Sequence, residues 1–113
     1  MPELRFPPRL PSEPRNRTMR TCAAHRAWVR SHRCSVPGCR QLPIECAHVR
    51  RGTDGGAGLK PSDKWCISLC QAHHLEQHHI GERAFEVKYD LDLFELASEF
   101  LGRSPLRQKL ILE

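Results

Sequence analysis

The alternation of apolar and polar positions in the middle of the chain predicts two strands followed by a helix. The runs IECAHV (44–49) and WCISL (65–69) are short strand candidates. Between them lie residues 50–63, whose four glycines and one proline predict a long loop. A helix is predicted to begin near residue 70 or 71 and to run to about residue 80, where Gly81 suits its C-terminal cap.

Helical periodicity predicts further helices on both sides of this ββα unit. Residues 18–33 place Ala24, Trp28 and Val29 on an apolar stripe, with arginines on the opposite face. Further along the chain, ERAFEVKY and DLFELASEFL predict two more helices, the second ending at Gly102. Their apolar side chains are expected to supply most of the ordinary core: Phe85, Leu93, Phe94, Leu96, Ala97, Phe100 and Leu101.

The two ends of the chain differ in composition from this middle part. Residues 1–17 contain five prolines and four arginines, which predict an extended, disordered arm. A single domain is expected over residues 18–102, with its core in residues 34–80. Residues 103–113 are expected to form a C-terminal tail.

Composition indicates that this domain needs more than hydrophobic burial to fold. The chain has 113 residues but only four Phe, two Trp and one Tyr, and small domains of that kind usually require disulfides or a metal. No apolar run is long enough for a membrane helix or a signal peptide, so a cytoplasmic location is expected. The six cysteines would be reduced there, which favours metal ligation over disulfides.

The distribution of charge favours a phosphate-rich partner. The net charge is +5, and residues 1–53 hold eleven Lys and Arg against three acids, whereas residues 54–113 hold seven against ten. An Arg-rich half of this kind is typical of nucleic-acid binding. The alternative is a solvated basic tail that serves solubility.

Two Cys/His pairs have the spacing of a structural zinc site. Cys34 and Cys39 enclose a Pro-Gly turn that faces both sulfurs inward, and Cys70 and His73 share one face at a strand-to-helix junction. Such pairs form the framework of a treble-clef-like finger, so the four side chains predict a structural Zn²⁺. The alternative is a set of inert cysteines. The remaining cysteines are interpreted as small buried hydrophobes: Cys22, Cys46 and Cys66.

A second set of histidines has the geometry of a separate metal site. His74 and His78 are four residues apart on the predicted helix, so both project from one face. Two imidazoles at this spacing are a known arrangement for binding one divalent ion. That face is rotated by about 100° from His73. His48 on the first strand is a third histidine for this site, and His79 is interpreted as a surface side chain.

The order of these features resembles the HNH endonucleases, the ββα-metal group that includes zinc-knuckle members. The resemblance rests on CxxxxC, a strand with AHVR, a glycine-rich loop, a strand with SLC, and CxxHH with a further His, over about residues 30–90. The same stretch is similar to small HNH-like proteins encoded by phages and prophages. The resemblance implies a small α+β fold, a zinc-stabilised treble-clef-like ββα-metal finger flanked by helices, that hydrolyses DNA phosphodiester bonds.

The resemblance also implies roles for individual residues. His48 matches the general base, and His74 and His78 match the helix ligands of a catalytic cation, which would be Mn²⁺, Mg²⁺, Ni²⁺ or Zn²⁺. The chain departs from the family at Ala47, where a further ligand is common, and the middle Asn of the motif is not evident. Asp63 either completes the metal shell or orients His48. Asp54 is a weaker candidate for the same role.

The sequence is compatible with three functions. The first is a metal-dependent DNA endonuclease, in which His48 acts as base. The second is a catalytically inactive, zinc-stabilised nucleic-acid-binding module, which Ala47 favours. The third is a zinc-dependent protein-interaction module, in which the arginine bias would be incidental.

Basic residues on either side of the glycine-rich loop are the candidates for contact with DNA. Arg50 and Arg51 follow the first strand directly, and Lys60 and Lys64 precede the second. They are predicted to contact phosphates, which would give binding without sequence information. The alternative is that these side chains are solvated charges.

Overall fold

The computed structural model describes residues 20–55 and 59–112, with only the backbone of residue 112. The predicted arm, residues 1–17, lies outside this part of the chain. The elements are α1 (Ala23–Arg30), β1 (Ile44–His48), β2 (Cys66–Cys70), α2 (Gln71–Ile80), α3 (Glu82–Tyr89), α4 (Leu93–Arg103) and α5 (Arg107–Leu112). The described part of the chain is therefore a small α+β fold.

The sheet consists of β1 and β2, paired antiparallel. Ile44 lies opposite Cys70, and His48 lies opposite Cys66. Every residue of β2 is buried, whereas β1 is mostly half-buried. The predicted strands are confirmed to within one residue at each end.

The helix α2 follows β2 without a linker, and this junction is held from both sides. The Sγ atom of Cys70 accepts a hydrogen bond from the backbone N–H of His73 at 3.4 Å, and Gln71 N–H donates to the carbonyl of Pro43 at 3.0 Å. The helix ends at Ile80 because Gly81 adopts φ = 91°, which L side chains rarely adopt. The predicted helix and its glycine stop are confirmed.

The core lies on the inner face of the sheet, under α3 and α4. Its fully or nearly buried members are Cys34, Val36, Ala47, Val49, Ile67, Leu69, Cys70, Phe85, Leu93 and Ala97. Most of these residues precede Gly81, so the expectation that the later helices supply most of the core is wrong. Phe94, expected in the core, is 38% exposed and stacks on Trp65. Helices cover this small sheet, and even its short side chains, such as Ala47 and Val49, are therefore fully buried.

The first helix is shorter than predicted, and the C-terminal tail contains an unpredicted helix. Within residues 18–33 the helix α1 spans only Ala23–Arg30. At the other end, α5 packs Leu110 so that only 3% of it is exposed. Ser104 links the two regions, since its Oγ accepts from Leu106 N–H at 3.0 Å and lies 2.9 Å from His25 Nδ1. Ser104 followed by Pro105 is a local signal for the start of a helix that sequence reasoning missed.

None of the helices in the described part of the chain is long and apolar enough to cross a membrane.

Candidate active site and metal centres

The four residues predicted to hold zinc lie together at the start of α2. Cys34 Sγ is 3.4 Å and Cys70 Sγ is 3.2 Å from His73 Nδ1, and the sulfurs of Cys39 and Cys70 are 3.9 Å apart. All four donor atoms lie within 4.8 Å of one another. Tetrahedral zinc places two thiolate sulfurs about 3.8 Å apart and a sulfur and an imidazole nitrogen about 3.5 Å apart. The donor set and its spacing therefore fit one zinc ion.

The loop that carries the first two cysteines is fastened to β2. Ser35 N–H donates to Ser68 O at 2.8 Å, and Ser68 Oγ donates to Arg33 O at 2.6 Å. Gly38 adopts φ = 80° at the tip of the turn, which suits glycine. Burial raises the pKa of the Cys34 thiol to about 11. A cation is therefore needed to hold this buried sulfur as a thiolate at neutral pH.

His48, at the end of β1, is paired with a buried carboxylate. Its Nε2 lies 2.8 Å from Asp63 Oδ1, and the Asp63 side chain is only 5% exposed. Burial alone would raise the pKa of Asp63, but hydrogen bonds from His48, the Cys22 backbone N–H and Arg26 outweigh it and lower that pKa to about 2. An ionised carboxylate only accepts hydrogen bonds, so Nε2 of His48 donates to Asp63, and Nδ1 is the ring nitrogen that this contact leaves for a second partner.

Of the two roles open to Asp63, this geometry supports the one that orients His48. The carboxylate is already occupied by His48, Arg26 and the backbone N–H of Cys22, which donates to Oδ2 at 2.7 Å. Asp54 instead braces the glycine-rich loop, where it accepts from Ser62 N–H at 3.0 Å and from Ser62 Oγ–H at 2.7 Å. Among the described residues, neither aspartate lines the cleft in which His74 and His78 lie.

His74 and His78 project from one face of α2, as their spacing predicts. Their Nε2 atoms are 3.3 Å apart, which matches two imidazole ligands on one ion with metal–nitrogen distances of about 2.0–2.1 Å. His74 Nδ1 lies 2.7 Å from Glu45 Oε1. A carboxylate that accepts from Nδ1 fixes the tautomer in which Nε2 can bind a metal, the arrangement typical of histidines that bind metals. The donor set therefore fits a divalent cation.

Glu45 is a site residue that sequence reasoning missed. It lies on β1, opposite Leu69 in β2, and so beside the first turn of α2. A charged carboxylate within a short, half-buried strand was the available signal, but its partner depends on how α2 docks on β1. Ala47, at the position where the family often has a further ligand, is fully buried and points into the core.

A single open cleft of about 970 Å³ unites these features. His48, His74 and His78 all line it, together with Glu45. Its other charged lining residues are Arg26, Arg30, Arg50, Arg51, Lys60, Glu82 and Arg83. The structure thus places the proposed base, the histidine pair and three of the four predicted phosphate contacts around one cleft. His48 was expected as a third histidine of the second metal site, but among the described residues its ligand atom clusters with those of Asp63 and Cys66, and not with those of His74 and His78. Lys64 is not among the lining residues, and its Nζ lies 5.8 Å from the ring centre of Trp65.

The segment after β1 is held against the N-terminus of α3. The Glu82 carboxylate accepts from the backbone N–H groups of Arg50 at 2.7 Å and Arg51 at 3.0 Å. The Arg51 guanidinium forms an ion pair with Glu86 at 2.9 Å. These contacts hold the backbone of the two arginines at the edge of the cleft, so its wall is preformed.

Cys66 lies beneath the His48–Asp63 pair, with its sulfur within 4.8 Å of their donor atoms. The side chain is fully buried. A hydrogen bond with Cys46 and burial both raise the pKa of the Cys66 thiol. A neutral thiol is a weak ligand, so Cys66 fits the predicted role of a buried hydrophobe.

Comparison with known proteins identifies the family of this chain. The family model described as "Putative HNHc nuclease" matches residues 14–98. The chain is 36% identical over 78 residues to the uncharacterized protein YdfU of Escherichia coli (strain K12), an alignment that covers 68% of this chain and 21% of that protein. This chain thus spans about a fifth of its curated relative. No solved structure matches significantly. Because the family model spans residues 14–98 of 113, well over half of the sequence, the chain belongs to this HNH nuclease family.

Proposed function

We propose that this protein is a metal-dependent HNH endonuclease that hydrolyses DNA phosphodiester bonds. The observation that carries the proposal is the cleft that holds His48, oriented by an ionised Asp63, together with the Nε2 atoms of His74 and His78, 3.3 Å apart. A protein that only binds nucleic acid has no need of an oriented base next to a pair of metal ligands. The resemblance to phage and prophage proteins makes a prophage origin part of the proposal.

The metal would be held by His74 Nε2 and His78 Nε2, with Glu45 fixing the ring of His74. A divalent cation bound there supplies charge stabilisation for the scissile phosphate and the leaving oxygen. Two imidazole ligands favour Mn²⁺, Ni²⁺ or Zn²⁺, whereas Mg²⁺ would require several waters in its shell. A separate structural Zn²⁺ would be held by Cys34, Cys39, Cys70 and His73.

His48 would perform the proton transfer. Its Nδ1, the ring nitrogen that does not contact Asp63, would take a proton from the attacking water, since a neutral imidazole is a suitable base near pH 7. The ring then carries a positive charge, which the ionised Asp63 stabilises through its hydrogen bond to Nε2. Arg26, paired with the same carboxylate, keeps Asp63 ionised in its buried position.

The alternative is a zinc-stabilised nucleic-acid-binding module without catalysis. The observation in its favour is Ala47, which is buried and offers no ligand. The missing ligand at Ala47 counts less against catalysis because Glu45, on the same strand, supplies a carboxylate that contacts His74. The two functions are separated by an assay of cleavage.

Cleavage of supercoiled plasmid tests the proposal. The wild type is expected to nick or linearise plasmid with at least one of Mn²⁺, Mg²⁺, Ni²⁺ and Zn²⁺, and to lose this activity when the metal is chelated. His78→Ala should lower the rate by at least about 100-fold, because losing a ligand costs no less than losing the group that orients one. The control is His79→Ala, which removes the neighbouring exposed histidine and should cleave at the wild-type rate. Wild-type protein that cleaves with none of these ions, or His78→Ala protein that cleaves normally, would contradict the proposal.

Removal of the Glu45 carboxylate should weaken binding of the second metal. Glu45→Gln is expected to raise the dissociation constant for Ni²⁺ or Mn²⁺ by about 10–100-fold, since the amide no longer fixes the His74 tautomer as strongly. Isothermal titration of protein already loaded with one zinc equivalent measures this constant. Glu99→Gln, which removes an exposed carboxylate on α4, controls for the change in net charge and should leave the constant unchanged. Equal affinities in the wild type and Glu45→Gln would show that Glu45 does not act on the metal site.

A further inference from the structure

The walls of the cleft carry a strong excess of positive charge. Six basic side chains line it, from α1, from the segments on either side of the glycine-rich loop, and from α3, against the two carboxylates of Glu45 and Glu82. Both carboxylates are engaged, Glu45 by His74 and Glu82 by two backbone N–H groups. The cleft that holds the histidines therefore has a net positive lining.

Some of these cations are already neutralised inside the protein, and others are available to a ligand. Arg26 is paired with Asp63, and Arg51 is paired with Glu86. Arg30 at the end of α1 and Arg83 in the first turn of α3 are exposed. Neither forms an ion pair with a carboxylate in residues 20–55 or 59–112. Because α1 and α3 are far apart in the sequence, it is the tertiary structure that places Arg30 and Arg83 at one cleft.

We propose that Arg30 on α1 and Arg83 on α3 bind backbone phosphates of double-stranded DNA in this cleft, so that the duplex is held at the histidines without being read for sequence. This inference rests on the proposed function and names its substrate class. Exposed guanidinium groups suit phosphate oxygens because they offer planar, paired N–H donors. Lys60, which also lines the cleft, adds a third contact of the same kind.

The chemistry of the lining favours duplex over single-stranded nucleic acid. Proteins that bind single strands combine a basic groove with aromatic rings on which successive bases stack. In the described part of the chain, the cleft is lined by no Phe, Tyr or Trp side chain. It offers cations for phosphates but no platform for unstacked bases. Contacts to phosphates position a duplex and carry no sequence information.

Binding can be measured separately from cleavage by using a His48→Ala background. Zinc-loaded His48→Ala protein is titrated into fluorescent 20-base-pair duplexes of two unrelated sequences and into the corresponding single strand, at several salt concentrations. We expect equal affinity for the two duplexes and weaker binding of the single strand. Adding Arg30→Ala or Arg83→Ala should weaken binding of both duplexes alike and reduce the slope of log K against log salt by about 0.9 each.

Arg33→Ala is the matched control, because Arg33 is an exposed arginine near the end of α1 that does not line the cleft. It should leave affinity and salt slope unchanged. The inference is overturned if Arg30→Ala and Arg83→Ala bind with the wild-type slope, if the single strand binds more tightly than the duplex, or if the two duplex sequences differ in affinity. If binding behaves as expected but the wild type cleaves no plasmid, the inference stands and the proposed endonuclease function fails.

Discussion

Replacing Cys70 by serine is expected to abolish the cooperative folding of this domain. Cys70 is fully buried at the junction of β2 and α2, and its sulfur lies near both Cys39 and His73. The same sulfur accepts the hydrogen bond that begins α2. A single substitution therefore removes a zinc ligand and a helix cap at the centre of the ββα unit.

The size of the effect follows from the two free energies involved. Binding of structural zinc is worth about 10–16 kcal/mol in small zinc domains, whereas the net stability of a domain is about 5–15 kcal/mol. Without most of the zinc-binding free energy, the remaining favourable interactions cannot balance the conformational entropy that the chain loses on folding. We therefore expect Cys70→Ser to bind less than one equivalent of zinc and to show no cooperative thermal transition.

Circular dichroism during heating and elemental analysis of purified protein measure the two parts of this prediction. The control is Cys22→Ser, since Cys22 is also buried, at 6% exposure, but lies outside the zinc cluster. It should retain one equivalent of zinc and a cooperative transition. Strong chelation of the wild type should reproduce the unfolding seen with Cys70→Ser. Cys70→Ser protein that keeps its zinc and melts within a few degrees of the wild type would rule out the structural site.

Local sequence predicted the features that depend on local geometry. The separation of His73 from His74 follows from helical phase alone, and the structure places His73 beside the cysteines and His74 beside Glu45. The spacing of Cys34 and Cys39 around a Pro-Gly turn is equally local. Because such features need only neighbouring residues, they were accessible before any tertiary structure was known.

Long-range contacts set the limits of that prediction. The partner of Glu45 depends on how α2 docks on β1, and the presence of Arg30 and Arg83 at one cleft depends on how the fold places α1 and α3. The choice between Asp63 and Asp54 also required the fold, because both lie in or beside the same loop and only Asp63 reaches His48. The contact of Ser104 with His25 also depends on the fold, whereas Ser104 and Pro105 gave a local signal for the start of α5.

The sharpest test of the proposed chemistry is the replacement of His48 by alanine. General-base catalysis by a positioned histidine contributes about 10²–10⁴-fold, so His48→Ala should lower the cleavage rate by that factor under the best metal. Its side chain is 16% exposed at the end of β1 and lies outside the proposed zinc ligands. Zinc content should therefore stay close to that of the wild type. The thermal transition should stay cooperative, with its midpoint lowered by several degrees because buried Asp63 loses one hydrogen bond.

A second variant and a rescue distinguish a base from a structural residue. Asp63→Asn keeps the size of the side chain but removes the charge that stabilises the protonated imidazole, so it should also slow cleavage by orders of magnitude. Added imidazole should partly restore cleavage by His48→Ala, because the small base can enter the vacated space in the open cleft, but it should not restore His78→Ala, whose defect lies in metal binding. Unchanged cleavage by His48→Ala would remove the base from the mechanism. Loss of zinc in that variant would instead show that His48 belongs to the structural site, and the division of the histidines into a zinc site and a catalytic site would fail.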